Sequence, residues 1–340
     1  VMVYPASLHL GIMTLLHFLV DGICGAALAV YAWQELSFDA ICYYFMLYNL
    51  LAFGTQWLVG LCLDKQPQLG KKLFLGSVWL LLAGTFSPLG IGVQALCLGV
   101  GNSLFHVTVG RMALLGYNSD LALGIFVAGG AIGIALGLAG AGYIWWYRIA
   151  LTLVATGAFS YLHWQEFSFK PLDNKRPELL SRGKGALLSG ALLLCIFIRS
   201  FGSGAVLPIN PVLIGCLMAA GKVVGGCCCD LFGYKRTALL ILVVGFLAVQ
   251  LPGVVPGALL LITWNMTMPL TLRLLYRGLA QQEAPGLAFG LAAGMLLPGI
   301  FFQGRWSVPV QLVIMLQFVL LVGAIGLWQS RKGVEKFLDR

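Results

Sequence analysis

Twelve apolar runs, near 7–33, 38–62, 72–90, 91–115, 119–142, 143–165, 186–206, 208–230, 236–252, 255–276, 285–303 and 307–329, take up almost the whole sequence. Each is close to the roughly 20 residues that a helix needs to cross a bilayer. With 60% of its residues hydrophobic and only 10% charged, the chain has too little polar surface to cover a soluble core. In lipid, backbone amides must be satisfied within the segment that carries them, so the spans must be helical. The expected class is an all-α integral membrane protein with twelve transmembrane helices. The first run lacks a basic leader and is too long for a cleaved signal peptide.

The net charge of +9 invites comparison with nucleic-acid binders, and the positions of the charges exclude it. With a cytoplasmic N-terminus, seventeen of the 21 Lys and Arg residues fall in cytoplasmic segments and only Arg148 and Arg305 fall outside, with Arg199 and Lys222 inside spans. Such a bias is the positive-inside pattern. Both termini are expected in the cytoplasm, the partner is the lipid bilayer, and no nucleic acid is expected. Compact loops fit a multi-pass protein of a bacterial inner (plasma) membrane, present as a monomer. The nine cysteines all fall in spans, none in a CxxC or Cys/His zinc spacing, and the adjacent Cys227, Cys228 and Cys229 point in three directions on a helix. No metal and no cofactor are expected.

One segment interrupts the apolar rhythm. QEFSFKPLDNKRPELLSRGKGA, 165–186, holds eight charged side chains and two prolines. It divides the chain into 1–165, a linker over 166–185, and 186–340. The flanking halves align at a constant offset of 166 residues. Gly60 pairs with Gly226, Asp64 with Asp230, Arg111 with Arg277, and Leu121, Ala122, Gly124 and Gly133 with Leu287, Ala288, Gly290 and Gly299. The expected architecture is two pseudo-symmetric six-helix bundles with a solute site between them near the bilayer midplane. In GLCLDK and GCCCDLFGYKR a glycine permits close helix approach, and an acid follows four residues later at the cytoplasmic end of a span. Such an acid can accept from a neighbouring helix N-terminus or an arginine, a latch that forms in one state and breaks in another. Ser119 and Asp120, Pro285, Arg111 and Arg277 are its candidate partners.

Ionisable side chains inside spans are costly and usually face a cavity or a partner. HFLVD puts His17 and Asp21 four residues apart, hence on one helix face. Asp21 has no repeat counterpart, since position 187 is Leu187, which marks it as chemistry rather than scaffold. It is expected to carry a proton, with His17 as relay or partner. His106, in the fourth span, is a candidate for proton or solute handling. Arg199 cannot shed its charge; it is a candidate to bind an anionic solute or to serve as counter-ion to Asp21, with snorkelling to the outer surface as the alternative. Lys222 can snorkel toward the inner interface. Tyr44, Asn49, Trp264 and Asn265 are candidate cavity linings.

The loops holding Gly60, Asp64 and Lys65, and Gly226, Asp230, Gly233, Lys235 and Arg236, resemble the repeated signature of the major facilitator superfamily of transporters. HFLVD, GVGNSLFHVTVGR and LALGIFVAGGAIGIALG together are similar to its fosmidomycin-resistance type of drug exporter, although Val107 stands where that group usually has proline. The resemblance implies a secondary transporter that moves a small-molecule solute by alternating access, coupled to protons, by antiport. A proton-coupled metabolite or nutrient importer, and a non-transporting sensor or lipid-moving protein, use the same parts. No enzyme is expected: nucleophile elbow, HExxH and phosphate loop are all missing, and without a Walker sequence there is no ATP drive.

Overall fold

The computed structural model describes residues 6–33, 37–86, 90–164, 182–202, 210–279, 284–302 and 310–338. Described residues in regular structure are helical throughout. The helices are α1 (Ala6–Trp33), α2 (Phe38–Gly54), α3 (Gln56–Lys65), α4 (Gly70–Ala83), α5 (Ile91–Gly116), α6 (Asp120–Ala139), α7 (Ile144–Trp164), α8 (Arg182–Gly202), α9 (Pro211–Gln250), α10 (Val254–Gly278), α11 (Pro285–Gly294), α12 (Leu297–Phe302) and α13 (Val310–Leu338). Among the described residues seven helical segments are long and apolar enough to cross a membrane: Leu8–Val30, Phe38–Lys65, Ile91–Gly116, Asp120–Ala139, Gly183–Phe201, Pro211–Gln250 and Val254–Gly278. Large apolar side chains such as Trp79, Leu153, Leu247 and Val319 lie exposed on the outside, as a lipid-facing surface requires. The protein is a multi-pass membrane protein.

Two departures from the expected spans have local causes. The run at 38–62 is not one straight helix, because the chain breaks at Thr55 between α2 and α3. The Thr55 hydroxyl bonds back to the Leu51 carbonyl oxygen at 2.6 Å and contacts Ser103 Oγ on α5 at 2.8 Å. Such back-bonding bends helices. The runs at 208–230 and 236–252 are not separated by a loop. They form the 40-residue α9, which would be about 60 Å long if straight, twice the bilayer core. Its continuity ends at Gly233, where φ 77° and ψ 165° break the helix into arms over 211–232 and 234–250. A side chain would be strained at that φ. The charged segment over 165–181 lies outside the described residues; the last residues assigned to the linker, from Arg182 on, are already helical in α8.

The largest apolar core gathers side chains from α1, α5, α6 and α7, among them Val20, Phe105, Phe126 and Leu151. A second gathers α8, α10 and α13 around Leu192, Ile196, Leu274 and Leu321. Contacts between the two groups run through α6 against α9 and α3 against α11. Close approach of α1 and α6 positions the site. A side chain at Gly129, Gly133 or Gly137 would meet the backbone of Thr14, Phe18 or Gly22 on α1. Small residues of this kind are how membrane helices gain contact where burial from water provides no drive.

Gly133→Ala should therefore force α1 and α6 apart and lower thermal stability in detergent by about 1–3 kcal/mol. Gly76→Ala, on α4 where a new methyl meets nothing within 4 Å, should leave the midpoint unchanged or slightly higher. Equal losses in both variants would show that the α1–α6 approach is not the tight contact described.

Candidate functional site

A cavity of about 200 Å³ lies between the two groups of helices. His17, Asp21 and His106 line one wall, and Arg199 and Lys222 line the other. Apolar groups, among them Phe53, Met218, Leu272 and Phe289, complete it.

The first wall is a hydrogen-bonded cluster. His17 Nε2 lies 3.4 Å from Asp21 Oδ2, and His106 Nε2 lies 3.4 Å from Asp21 Oδ1. The two Nε2 atoms are 2.8 Å apart. Asn102 donates from Nδ2 to Asp21 Oδ1 at 3.2 Å. Each imidazole has its other nitrogen on a backbone carbonyl: His17 Nδ1 on Phe126 at 2.9 Å, His106 Nδ1 on Asn102 at 3.0 Å. A carbonyl oxygen only accepts, so both Nδ1 atoms carry hydrogen. A neutral imidazole in that tautomer presents a lone pair at Nε2. Two such lone pairs at 2.8 Å repel, whereas one additional proton between them makes a donor and an acceptor. With an ionised Asp21 beside it, that proton leaves the cluster with no net charge. The fold thus builds a receptacle for one cation, and the three side chains, with ligand atoms all within 4.8 Å of one another, could equally hold a metal ion.

On the facing wall Arg199 donates from one terminal nitrogen toward the hydroxyls of Thr267 at 3.1 Å and Thr271 at 3.4 Å. Lys222 donates from Nζ to the Val127 carbonyl of α6 at 3.1 Å. Both are buried, and neither has a carboxylate within 4 Å among the described residues. Gln56, also in the lining, donates from Nε2 to Ala52 at 2.7 Å and leaves its buried Oε1 without a partner. A solute with a donor group and a negative charge would find complements on this side.

The acids at the helix ends are placed symmetrically. Asp64, at the end of α3, accepts from the backbone N–H groups of Gly286 at 3.0 Å and Leu287 at 2.8 Å, at the N-terminus of α11. Arg111 Nε bonds the same carboxylate at 3.0 Å. Asp230 on α9 accepts from the N–H groups of Asp120 at 2.9 Å and Leu121 at 3.0 Å, and from Ser119 Oγ at 2.7 Å, at the N-terminus of α6. Gly60 and Gly226 allow these approaches, since a side chain at either would meet the backbone of Gly286 or of Asp120. The Arg277 guanidinium lies over the Tyr234 ring at 5.6 Å. Arg273 crosses from α10 to pair with Asp120 at 3.2 Å and to donate to the carbonyls of Leu114, Tyr117 and Ser119. Lys65, Gly233, Lys235 and Arg236 are exposed at this end.

Four candidate linings stand elsewhere. Asn49 and Asn265 each donate to the carbonyl one turn back, on Phe45 at 2.7 Å and Leu261 at 2.9 Å, so their amides serve their own helices. Trp264 donates from Nε1 to the Arg199 carbonyl at 2.9 Å, holding α10 to α8 behind the cavity. Tyr44 packs on Tyr43, with ring centroids 5.3 Å apart. None is in the cavity lining. Conversely, Asn102 through its bond to Asp21, and Lys222 and Gln56 in the lining, belong to the site, although in the sequence each is no more than a polar group in a span.

Asp64→Ala removes two charge-assisted bonds to α11 and leaves Arg111 without its carboxylate; Asp230→Ala removes three bonds to α6. Such bonds contribute about 1.5–3 kcal/mol each. In a background with the exposed Cys62 and Cys216 replaced by serine, either variant should increase labelling of a cysteine introduced at Leu287 or Leu121 by a membrane-impermeant maleimide added from that end. Unchanged labelling in both would mean that the carboxylates do not hold the end shut.

No protein-family model matches the chain, and no curated protein matches it in sequence. Among solved structures it is similar to a bacterial homologue of the iron transporter ferroportin in an outward-facing state, with TM-score 0.57 and 13% identity over 95% of this chain and 99% of that one. It is similar to a variant of the E. coli fucose:proton symporter FucP, with TM-score 0.57 and 11% identity over 94% of this chain and 99% of that one. The match to FucP in the outward conformation, a major facilitator superfamily transporter, has TM-score 0.60 and 10% identity over 95% and 98% of the two chains. At these identities the likeness is one of architecture: the chain carries the fold of the major facilitator superfamily transporters.

Proposed function

We propose that the protein is a secondary active transporter of twelve spans, in which bundles over 1–165 and 186–340, joined by the linker 166–185, rock about the central cavity. The observation that carries this reading is the pair of acid latches, Asp64 on α11 and Asp230 on α6, at one end of a cavity with opposed charged walls. With both latches made, that end, which we assign to the cytoplasm, is closed. Opening it requires both to break together, because each joins the same two groups of helices. The shared fold and the fucose:proton symporter among its likenesses support the class.

The proton couples through Asp21, His17 and His106. A proton held among them leaves the wall neutral; its loss leaves a carboxylate facing Arg199 and Lys222. A change of one charge in a low-dielectric cavity is large enough to bias two packings of the same helices. The solute is a drug-like or anionic compound, exported by antiport in the manner that the resemblance to the fosmidomycin-resistance type implies. One observation favours a second reading, proton-coupled uptake of an anion. Arg199 and Lys222 bind an anion best when Asp21 is neutralised, which binds proton and anion together and suits cotransport.

Energised everted vesicles with a pH-sensitive dye separate these outcomes. For export, a solute added outside should dissipate the interior-acid gradient in wild type and at least tenfold more slowly in Asp21→Asn. For uptake, the same solute should instead alkalinise the medium around right-side-out vesicles. Identical traces for wild type and Asp21→Asn in both orientations, with a solute shown to be carried, would remove Asp21 from the coupling.

A further inference from the structure

His17 Nε2, His106 Nε2 and the Asp21 carboxylate converge from α1 and α5. Both imidazoles spend Nδ1–H on a backbone carbonyl, which fixes ring orientation and leaves the Nε2 lone pair facing inward. Metal-binding histidines are held in this way, by an outer partner on the far nitrogen. Asn102 does the same for the carboxylate through Asp21 Oδ1.

The dimensions fit a tetrahedral ion. Bonds of about 2.0–2.1 Å place neighbouring ligand atoms about 3.3 Å apart. The two Nε2–carboxylate separations of 3.4 Å run to different oxygens, Oδ2 for His17 and Oδ1 for His106, so a single ligating oxygen requires the carboxylate to turn, and the Nε2–Nε2 separation of 2.8 Å to widen by about half an ångström on the same geometry. The ligand set itself selects: two imidazoles and one carboxylate suit first-row transition metals, whereas Mg²⁺ and Ca²⁺ prefer all-oxygen sites. Three protein ligands leave a fourth position, and Asp21, His17 and His106 all line the cavity, so that position faces it. A dication on one carboxylate leaves excess positive charge opposite Arg199 and Lys222. An anionic fourth ligand is the arrangement that relieves it.

We propose that His17, Asp21 and His106 form a binding site for one divalent first-row transition-metal ion, Zn²⁺ or Co²⁺ in class, with an anion from the cavity as fourth ligand. The ion occupies the place that the shared proton takes in its absence. The site uses residues of the transport reading but does not depend on transport.

The test is Co²⁺ titration of the purified full chain in detergent with chloride present. One equivalent should bind, with the visible absorption of tetrahedral cobalt and without the near-ultraviolet sulfur-to-cobalt band that the cysteines would give. Reading ligand type from the wild-type spectrum needs no variant to fold. His17→Gln and His106→Gln should each lose the signal, and Asn102→Ala, which only unseats the carboxylate, should weaken affinity about 10- to 100-fold. No stoichiometric binding, a thiolate spectrum, or binding retained in the double variant His17→Gln/His106→Gln would overturn the site. Vesicle flux in the presence of a chelator separates the two readings: a Co²⁺ failure beside an Asp21-dependent proton flux sinks the metal site alone, and binding without flux sinks coupling alone.

Discussion

Two carboxylates, Asp64 and Asp230, hold the ends of helices that belong to the opposite half of the chain. Each accepts two backbone N–H groups at a helix N-terminus, where the first turn has no intrahelical partners for its amides. An acid serves such a terminus better than water at a membrane surface, because it meets both the orphan donors and the positive end of the helix dipole. The arrangement requires the helices almost in backbone contact, which Gly60 and Gly226 permit, with Gly286, Gly290 and Gly124 at the same two interfaces. In the proposed transport cycle these two contacts close the cavity at this end.

The second constraint is the cost of charge in lipid. Asp21, Arg199 and Lys222 are tolerable inside spans only where each finds donors, acceptors or an aqueous space. All three turn to the same cavity. Their local partners are modest: an Asn amide for Asp21, two threonine hydroxyls for Arg199, one carbonyl for Lys222. Groups held this lightly remain available to a solute, in contrast with Arg273, whose guanidinium is spent on one carboxylate and three carbonyls. In the proposed function this distinction separates the cations that meet the solute from one that braces the helices.

How much of this the sequence disclosed depended on the range of the interaction. The latch acids and their glycines were visible because the duplication wrote each twice at one offset. His17 and Asp21 were visible because four residues on a helix are one turn. His106 was visible only as an isolated polar residue; its contact with His17 spans 89 positions and exists only once α1 and α5 pack. The same distance hid the metal-ligand geometry, since no zinc spacing appears in the chain. Lys222 was misjudged as able to snorkel because the sequence does not show that α6 covers its helix with the Val127 carbonyl in reach. Asn49 and Asn265 erred the other way: their amides found a carbonyl one turn back, a partner any helix offers. Gly233 was recognised as part of a loop, but φ 77° at one residue did the work of a loop.

The duplication also explains how one scaffold supports unequal chemistry. At the offset of 166, Gln56 corresponds to Lys222, His106 to Leu272, Val127 to Ala293 and Gly130 to Leu296, and all eight line the same cavity. The pseudo-symmetry therefore sets which backbone positions face the centre, and leaves the side chains there free to differ. Of the functional groups only His106 and Lys222 stand on such paired positions; at the same offset His17 and Asp21 correspond to Gly183 and Leu187, outside the lining. Neither wall is self-sufficient: the first sets two Nε2 lone pairs and a carboxylate together and needs one proton or metal ion to reconcile them, and the second carries two positive charges with no carboxylate within ion-pair distance among the described residues. A solute or ion that completes one wall alters the field at the other. Because the walls sit on opposite sides of the latched interface, that change would act on the relative position of the halves, which is how the proposed transport cycle links occupancy of the cavity to movement of the bundles.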